Sequence, residues 1–251
     1  AVGMSAIGID FGSAFCSVAV AQRGGVDVCM NEVSNRQTPS MVAFDAKQRH
    51  VGEQAATQYM RNIGNTVTGL KQFLGRRFSE PDVQAAAAAV PYKLVALDGD
   101  EVGVEVALAG ETRRLPLVQV AGTLLQRMTE TAEASVGTAC RDAVLSVPGY
   151  WTDAQRRALL DAARVAGLNP LRLINDHAAT ALQYGLFKHA ELPEQEPLHV
   201  VFVDMGWTDT SVAVVEFVRG RLRVLAAAFD RALGGRDFDE LMVAHLAAEF
   251  K

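Results

Sequence analysis

Cysteines and long apolar runs are scarce in this chain, and each scarcity excludes a class of protein. Three cysteines occur among 251 residues, scattered at Cys16, Cys29 and Cys140. An odd number without paired spacing fits neither a disulfide framework nor a zinc site. The pattern favours a reducing compartment, and we therefore expect a cytoplasmic protein. No apolar run reaches the roughly 18 residues of a membrane span, so no membrane partner is expected.

Basic segments are also missing. The net charge is −5, with 24 lysines and arginines against 29 aspartates and glutamates. A nucleic-acid-binding domain usually carries a basic patch or stripe, so no nucleic-acid partner is expected. The chain is instead rich in apolar residues, which make up 49% of it and suffice for a large core.

One short pattern occurs twice. Residues 6–12 and 200–206 are each predicted to form an apolar strand that ends in Asp-x-Gly, followed by a second β-rich run. Asp10 and Asp204 then lie at strand ends, beside glycines that allow close approach of the backbone. Such turns are typical of sites for phosphate and its metal ion. The repeat predicts a duplicated fold that binds a nucleotide between its halves.

Hydrophobic periodicity predicts an α/β chain. Strands are predicted over residues 6–10, 16–22, 26–31, 41–44, 93–97, 102–109, 113–115, 142–147 and 171–174, and in alternation over 198–228. Helices are predicted over residues 53–62, 70–75, 116–136, 153–166, 176–184 and 237–250, with a marginal one over 84–90. Thr152 and Gln155 have the spacing of a helix N-cap box.

The domain organisation is predicted from a polar, proline-containing stretch over residues 190–197, which indicates a linker. We expect a first lobe over residues 4–191, a linker over 192–197 and the start of a second lobe over 198–251. The elements predicted after residue 198 are too few to mirror the first lobe, so we expect a truncated fragment. Residues 1–3, before Met4, are expected to be a remnant of expression.

Several short motifs follow one another along the chain. They are GIDFG at 8–12, TPS at 38–40, SVPGY at 146–150, ARVAGL at 163–168, LIND at 173–176, ALQYG at 181–185 and LGGRDFD at 233–239. Each is weak alone, but the ordered set resembles the nucleotide-binding domain of the 70-kDa heat-shock chaperone superfamily. The resemblance implies a duplicated actin-like (ribonuclease H-like) α/β ATPase fold, with a complete first lobe and a truncated second one.

Other segments resemble the 110-kDa branch of that superfamily more closely than the 70-kDa chaperones. They are NIGNTV at 62–67, GRRFSEP at 75–81, TDAQRR at 152–157, VDMG at 203–206 and Arg236, where the ATPase branch has Glu. That branch is known chiefly as a nucleotide exchange factor. The resemblance implies ATP or ADP with Mg²⁺ as cofactors and a 70-kDa heat-shock chaperone as partner. Unfolded polypeptides would be clients of C-terminal domains beyond this chain.

The resemblance also implies a nucleotide site made by the two Asp-x-Gly turns. Asp10 and Asp204 would hold Mg²⁺ through its water molecules, since hard oxygen ligands suit that ion. The catalytic positions would be Lys71, Asp176 and Asp204, with the lysine neutralising charge at the γ-phosphate. The cofactor-binding positions would be Asp10, Gly12, Ser13, Ala14, Phe15, Gly206, Trp207, Gly234 and Gly235.

Departures from the ATPase branch lie at the site itself. Ala14 stands where the ATPase branch has a hydroxyl residue, and Asp176 stands where it has the longer Glu. Trp207-Thr208-Asp209 replaces two glycines and a Thr, and Arg231 replaces another Thr. Phosphoryl transfer depends on preorganised contacts, so these changes predict slow hydrolysis.

Three of the changed residues lead to separate expectations. Asp209 would repel a polyphosphate unless it is shielded. Arg231 would lie either near phosphate or on the surface. His177, where the ATPase branch has Pro, is expected to be a loop or cap residue rather than a base.

Three functions are compatible with these residues. The first is a nucleotide-holding exchange factor that hydrolyses ATP poorly, the second is a chaperone ATPase with a modified site, and the third is a sugar or acetate kinase. Trp207 and Asp209 count against the second and third, which need intact phosphate turns. The adenosine pocket is expected beyond Lys251, so this fragment is expected to bind ATP weakly and to be inactive by itself.

Overall fold

The computed structural model describes residues 6–22 and 25–250, so the predicted expression remnant at residues 1–3 lies outside it. The strands are β1 (Ile7–Phe11), β2 (Phe15–Gln22), β3 (Gly25–Val28), β4 (Thr38–Pro39), β5 (Val42–Phe44), β6 (Arg49–Val51), β7 (Thr66–Val67), β8 (Lys93–Ala96), β9 (Val102–Leu108), β10 (Glu111–Pro116), β11 (Asp142–Val147), β12 (Asn169–Asn175), β13 (Leu198–Met205), β14 (Thr210–Val218) and β15 (Arg221–Asp230). The helices are α1 (Glu53–Gln58), α2 (Leu70–Phe73), α3 (Pro81–Ala89), α4 (Leu117–Val136), α5 (Asp153–Val165), α6 (Asp176–Phe187) and α7 (Gly235–Glu249). None of the helices in the described residues is long and apolar enough to span a membrane.

Most predicted elements are confirmed, with ends shifted by one or two residues. The start of the marginal helix predicted over residues 84–90 is wrong. The corresponding helix α3 begins at Pro81, a residue well suited to the first helical position. α6 extends beyond its predicted end to Phe187. The predicted cap of α5 is confirmed. The backbone N–H of Gln155 donates to the Thr152 hydroxyl oxygen at 3.4 Å, and the backbone N–H of Thr152 donates to the side-chain oxygen of Gln155 at 3.1 Å.

The helix predicted over residues 53–62 is wrong at its C-terminal end. α1 stops at Gln58, and a 3₁₀ turn follows over Tyr59–Arg61. The side-chain amide of Asn62 donates to the Phe44 carbonyl oxygen at 2.8 Å. A contact with β5 therefore replaces continuation of the helix, which residue propensities alone could not reveal.

The strand predicted over residues 26–31 is also too long, since β3 ends at Val28. The Asn31 side-chain oxygen accepts hydrogen bonds from the backbone N–H groups of Val33 at 3.1 Å and Asn35 at 2.9 Å. Local bonds of this kind compete with a sheet ladder, so the chain turns here.

Tertiary contacts divide the chain into two compact units. The first runs to Leu145 and includes Trp151–Leu173, and the second contains Ser146–Tyr150 and the chain from Ile174 onward. The predicted lobe boundary at residues 192–197 stays a prediction.

The sheet to which the first turn belongs has the strand order β12-β11-β1-β2-β3, with β4 also pairing with β2. β1 is parallel to β11 and antiparallel to β2. Ile7, Ile9 and Phe11 of β1 are buried, so the alternation of the strand puts Gly8 and Asp10 on the opposite, exposed face. The predicted strand–turn–strand hairpin after Asp10 is therefore confirmed.

Helices α4 and α5 supply much of the core of the first unit. α4 buries an apolar face that includes Leu124, Leu125 and Met128, and it packs against both α5 and β2. The two helices approach closely at Gly122, where an added Cβ would lie 2.8 Å from a methyl group of Val165. Two further three-stranded sheets, β10-β9-β8 and β6-β5-β7, belong to the same unit.

The second unit contains the antiparallel sheet β13-β14-β15. α6 packs on it through a core that includes Ala181, Val215 and Phe217. Tyr184 lies edge-on to Phe202, with ring centres 5.5 Å apart. The hairpin predicted after Asp204 is confirmed, since β13 pairs with β14 from Leu198 to Met205.

Candidate functional site

The first Asp-x-Gly turn, residues 12–14 between β1 and β2, is bonded to Ser40. The Ser40 hydroxyl donates to the Gly12 carbonyl oxygen at 2.8 Å, and the Ser40 backbone N–H donates to the Ala14 carbonyl oxygen at 2.8 Å. A Cβ on Gly12 would lie 2.1 Å from the Phe15 carbonyl oxygen. The turn therefore folds tightly on bare backbone, as a phosphate-binding turn requires.

Cys16 lies next to this turn, and the groups that act on its thiol are neighbours of the turn. Its sulfur is fully buried and lies 3.2 Å from the Ser40 hydroxyl oxygen. The pKa of the Cys16 thiol is raised to about 11, chiefly by burial; the charge of Asp10 contributes to the rise, and the charge of Lys71 opposes it. Asp10 and Lys71 are thus both close enough to act on one thiol.

The remaining predicted residues of the first unit are distributed around this turn and α2. Lys71 belongs to α2 and is only 9% exposed, so it is not the solvated surface lysine that its residue type suggests. Ser13 is buried to the same degree, whereas Phe15 is 46% exposed. Within this unit the structure brings Asp10, Gly12 and Lys71 into one neighbourhood.

The second turn, residues 206–209 between β13 and β14, is bonded to the start of α7. The Gly206 N–H donates to the Asp209 carbonyl oxygen at 2.8 Å, which closes the turn. The Gly235 N–H donates to the Gly206 carbonyl oxygen at 2.9 Å, and the Arg236 N–H donates to the Trp207 carbonyl oxygen at 3.0 Å.

Gly234, the residue just before α7, lies against this turn. A Cβ on Gly234 would lie 2.4 Å from the Trp207 carbonyl oxygen and 2.6 Å from the Thr208 nitrogen. Trp207 itself is 39% exposed, and Cδ1 of its indole lies 3.8 Å from the position that a Cβ on Gly235 would take. The structure therefore brings together four predicted residues of the second unit: Gly206, Trp207, Gly234 and Gly235.

Asp209 is shielded by neighbouring hydroxyl groups. The Thr208 hydroxyl donates to its carboxylate at 3.0 Å, and the Tyr150 hydroxyl also interacts with it. Burial, and next the negative charge of Asp209, raise the pKa of Tyr150, which keeps the phenol protonated and able to donate. The carboxylate thus has hydrogen-bond donors of its own.

Arg231 is held against the same tyrosine. Its guanidinium carbon lies 4.8 Å from the centre of the Tyr150 ring, and one of its nitrogens donates to the Tyr150 carbonyl oxygen at 3.4 Å. The residue is exposed, yet this stacking places its charge on the tyrosine that faces Asp209. Sequence reasoning missed Tyr150, and it could not have found this pair, whose members are 81 positions apart.

Asp176 and His177 open α6, so the expected loop or cap position of His177 is wrong. His177 is 7% exposed, and its ring centre lies 5.8 Å from that of Phe229. Burial lowers the pKa of His177, and the neighbouring Asp176 partly opposes that effect. Within the part of the chain that the structure describes, Nδ1 of this imidazole has no hydrogen-bond partner.

Replacing His177 by glutamine should weaken the pH dependence of stability. A lowered folded-state pKa means that the unfolded chain takes up the proton first, so the free energy of unfolding of the wild type should fall as pH drops through and below 6.5. Urea unfolding from about pH 8 to about pH 5 should show this loss, smaller in His177→Gln. His189→Gln, at an exposed histidine, is the control and should leave the pH dependence of the free energy of unfolding as in the wild type. An unchanged pH dependence in His177→Gln would contradict the prediction.

Two antiparallel hairpins with Asp-x-Gly at their turns, on sheets packed with helices, define a nucleotide-binding domain of the actin-like class. The chain belongs to the Hsp70 protein family, whose sequence model matches residues 6–251. The predictions of family and fold are therefore confirmed, and the chain is a nucleotide-binding domain of the heat-shock chaperone type. The family match does not support the sugar or acetate kinase alternative.

Several relatives resemble the chain along nearly all of its length. "Heat shock protein 88" of Dictyostelium discoideum is 46% identical over 245 residues, which cover 98% of this chain and 32% of that protein. "Heat shock 70 kDa protein 4" of Rattus norvegicus is 47% identical over 249 residues, covering 98% of this chain and 30% of the relative. "Heat shock 70 kDa protein 14" of Arabidopsis thaliana is 43% identical over 248 residues, covering 99% and 30%. The chain thus spans about a third of the length of these relatives.

Proposed function

We propose that this chain binds ATP or ADP with Mg²⁺ as part of a cytoplasmic nucleotide exchange factor that acts on a 70-kDa heat-shock chaperone. The observation that carries the proposal is the second turn. It keeps the close backbone packing of a phosphate-binding turn, while Trp207 and Thr208 occupy its two glycine positions and Asp209 replaces a Thr. Retained architecture with altered side chains supports binding over hydrolysis. The free thiols of all three cysteines support the reducing compartment.

The residues present fit a nucleotide with its metal ion. Gly12 and Gly234 each lie where a Cβ would collide with backbone, so the first turn and the junction of the second turn with α7 keep the close main-chain packing that suits a phosphate site. Asp10 and Asp204 offer carboxylate oxygens of the kind that Mg²⁺ prefers through its waters. Bound Mg²⁺ would neutralise part of the polyphosphate charge. We propose that residues 4–191 and 198–251 form two lobes, with one Asp-x-Gly turn in each.

Slow hydrolysis is proposed from the residues that have changed. Ala14 lacks a hydroxyl, and Asp176 is one methylene shorter than Glu, so its reach toward the metal's water is reduced. Arg231 lies on Tyr150 where the ATPase branch has a small hydroxyl. Binding should tolerate these changes better, because the shielding of Asp209 by Thr208 and Tyr150 limits repulsion of phosphate.

A chaperone ATPase remains the alternative function. Lys71, Asp176 and Asp204 keep the charge types that the catalytic positions require, and the low exposure of Lys71 favours a role inside a site. Turnover by such an enzyme would rise with peptide or with a J-domain partner.

Labelled ADP should leave a purified 70-kDa chaperone faster when the longest natural form of this protein is added with ATP. A closed, nucleotide-bound domain would present a fixed face to the chaperone and favour the state that releases ADP. Stopped-flow fluorescence measures the release rate, with the ADP-loaded chaperone alone as the control. No acceleration, together with turnover equal to that of an ordinary chaperone ATPase, would replace this proposal by the alternative function.

A further inference from the structure

A polar pocket lies in the first unit, at the tips of two hairpins. It has a volume of about 450 Å³, within the usual range for small-ligand pockets. It is lined by Lys47, Gln48, Arg49, Leu108, Ala109 and Arg113, and we call it the hairpin-tip pocket. None of these residues belongs to the two Asp-x-Gly turns, so the pocket is separate from the proposed nucleotide site.

The two hairpin tips form one continuous unit. The Ala109 N–H at the β9–β10 turn donates to the Asp45 carbonyl oxygen at the β5–β6 turn, at 3.2 Å. Ala109 and Gly110 both have positive φ values, 56° and 81°, which make their turn tight. The pocket wall is thus formed by two joined turns rather than by loose loops.

Asp45, a carboxylate two positions before Lys47, is already engaged by its own turn. One oxygen of Asp45 accepts the backbone N–H groups of Lys47 at 2.7 Å and Gln48 at 2.8 Å, and the other contacts His50 Nε2 at 2.7 Å. These hydrogen bonds lower the pKa of Asp45 to about 2, the Gln48 N–H contributing most. Asp45 therefore stays ionised, but its carboxylate oxygens are hydrogen-bonded within the turn, where they hold the backbone of Lys47 and Gln48 in place.

Three cationic side chains line the pocket in a chain whose net charge is −5. Arg49 donates to the Thr123 hydroxyl at 3.4 Å, which orients it along α4. Arg113 pairs with Glu111 at 3.0 Å through one nitrogen. Each guanidinium has five N–H donors, so both arginines retain donors for another anion. Leu108 and Ala109 add an apolar wall beside them.

We propose that the hairpin-tip pocket binds a small phosphate ester or diphosphate, with Arg49 and Arg113 as the principal donors and Lys47 as an additional charge. Guanidinium groups match the oxygens of phosphate bidentately, and lysine attracts it as a point charge. The volume accommodates two linked phosphates, and the apolar wall would accept the non-phosphate part of an ester. This site goes beyond the proposed exchange function and does not depend on it.

Pyrophosphate titrated into this chain, followed by backbone amide NMR, tests the proposal. Saturable shifts should appear at Gln48, Ala109 and Gly110, whose amides lie at the hairpin tips. These signals separate the pocket from any binding at the Asp-x-Gly turns, which would move Gly12 or Gly206 instead. No saturable shift at the hairpin tips, or an equal response to sodium chloride at matched ionic strength, overturns the proposal.

A matched pair of variants tests the role of the arginine. Arg113→Gln should weaken pyrophosphate binding at the hairpin tips by about tenfold or more, since a charge-assisted bond is lost. Arg114→Gln removes the same charge one position along β10, where the side chain pairs with Glu105 and does not line the pocket, and it should leave the affinity unchanged. Equal weakening by both variants would show general charge attraction and overturn the site. Arg113 is 52% exposed, so its variant should fold, and Lys47→Gln provides a second variant with the expected loss.

Discussion

Gly12→Ala should destabilise the protein by about 3 kcal/mol, the upper end of the cost of overpacking. The added Cβ would lie 2.1 Å from the Phe15 carbonyl oxygen, and a backbone atom cannot move aside as a flexible side chain can. The turn would have to open, which would also break the Ser40 bond to the Gly12 carbonyl oxygen. Urea unfolding would measure the loss as a lower midpoint with an unchanged slope.

Gly8→Ala is the matched control for that experiment. Gly8 lies in the same strand, and a Cβ there has no atom within 4 Å. Alanine also costs less backbone entropy than glycine, so the stability of Gly8→Ala should stay within about 0.5 kcal/mol of the wild type or rise. If the two variants were equally stable, the tight contact at the first turn would not exist as described.

Gly234→Ala should release the start of α7 from the second turn. The Gly234 backbone is extended, at φ −156°, so alanine can adopt it, and the effect is purely steric. The new Cβ would lie 2.4 Å from the Trp207 carbonyl oxygen, which would force the turn and helix apart. The Gly235 and Arg236 N–H groups would lose their bonds to the turn, and their hydrogen exchange should accelerate by about 100-fold, the equivalent of roughly 3 kcal/mol.

The neighbouring glycine gives the control for this prediction. A Cβ on Gly235 would have its nearest contact at 3.8 Å, an ordinary van der Waals distance. Gly235→Ala adds a better helix former at the first position of α7, so exchange should be unchanged or slower. Equal acceleration in both variants would mean that the contact at Gly234 does not hold α7 to the turn.

Much of the fold could be predicted from local sequence patterns. The hairpins that follow Asp10 and Asp204 and the cap box at Thr152 all appear where the sequence places them. The errors at the ends of α1 and β3 come from side-chain bonds of Asn62 and Asn31. The first of these bonds joins segments far apart in the chain, and the second competes locally with the sheet.

The proposed site was predictable only as a set of residues. The resemblance supplied Lys71, but its low exposure is a property of how α2 packs. The comparison with the ATPase branch also identified Asp209 and Arg231, but only as two separate differences from that branch. The structure shows that Tyr150 contacts both of them, so two departures that looked independent share one neighbour. Sequence reasoning had no signal for that tyrosine beyond its membership of a motif.

The sequence by itself determined the family, the α/β class, the two Asp-x-Gly turns and the residue types available to a nucleotide, because these are encoded by short-range periodicity and by motifs in order. Only the tertiary structure decided that Ser40 holds the first turn, that Gly234 touches the second, that His177 is buried and that Lys47, Arg49 and Arg113 share a pocket. The physical reason is that these features depend on close packing between segments distant in the chain. A clearance of a few tenths of an ångström between such segments is set by the whole core and not by any local run of residues.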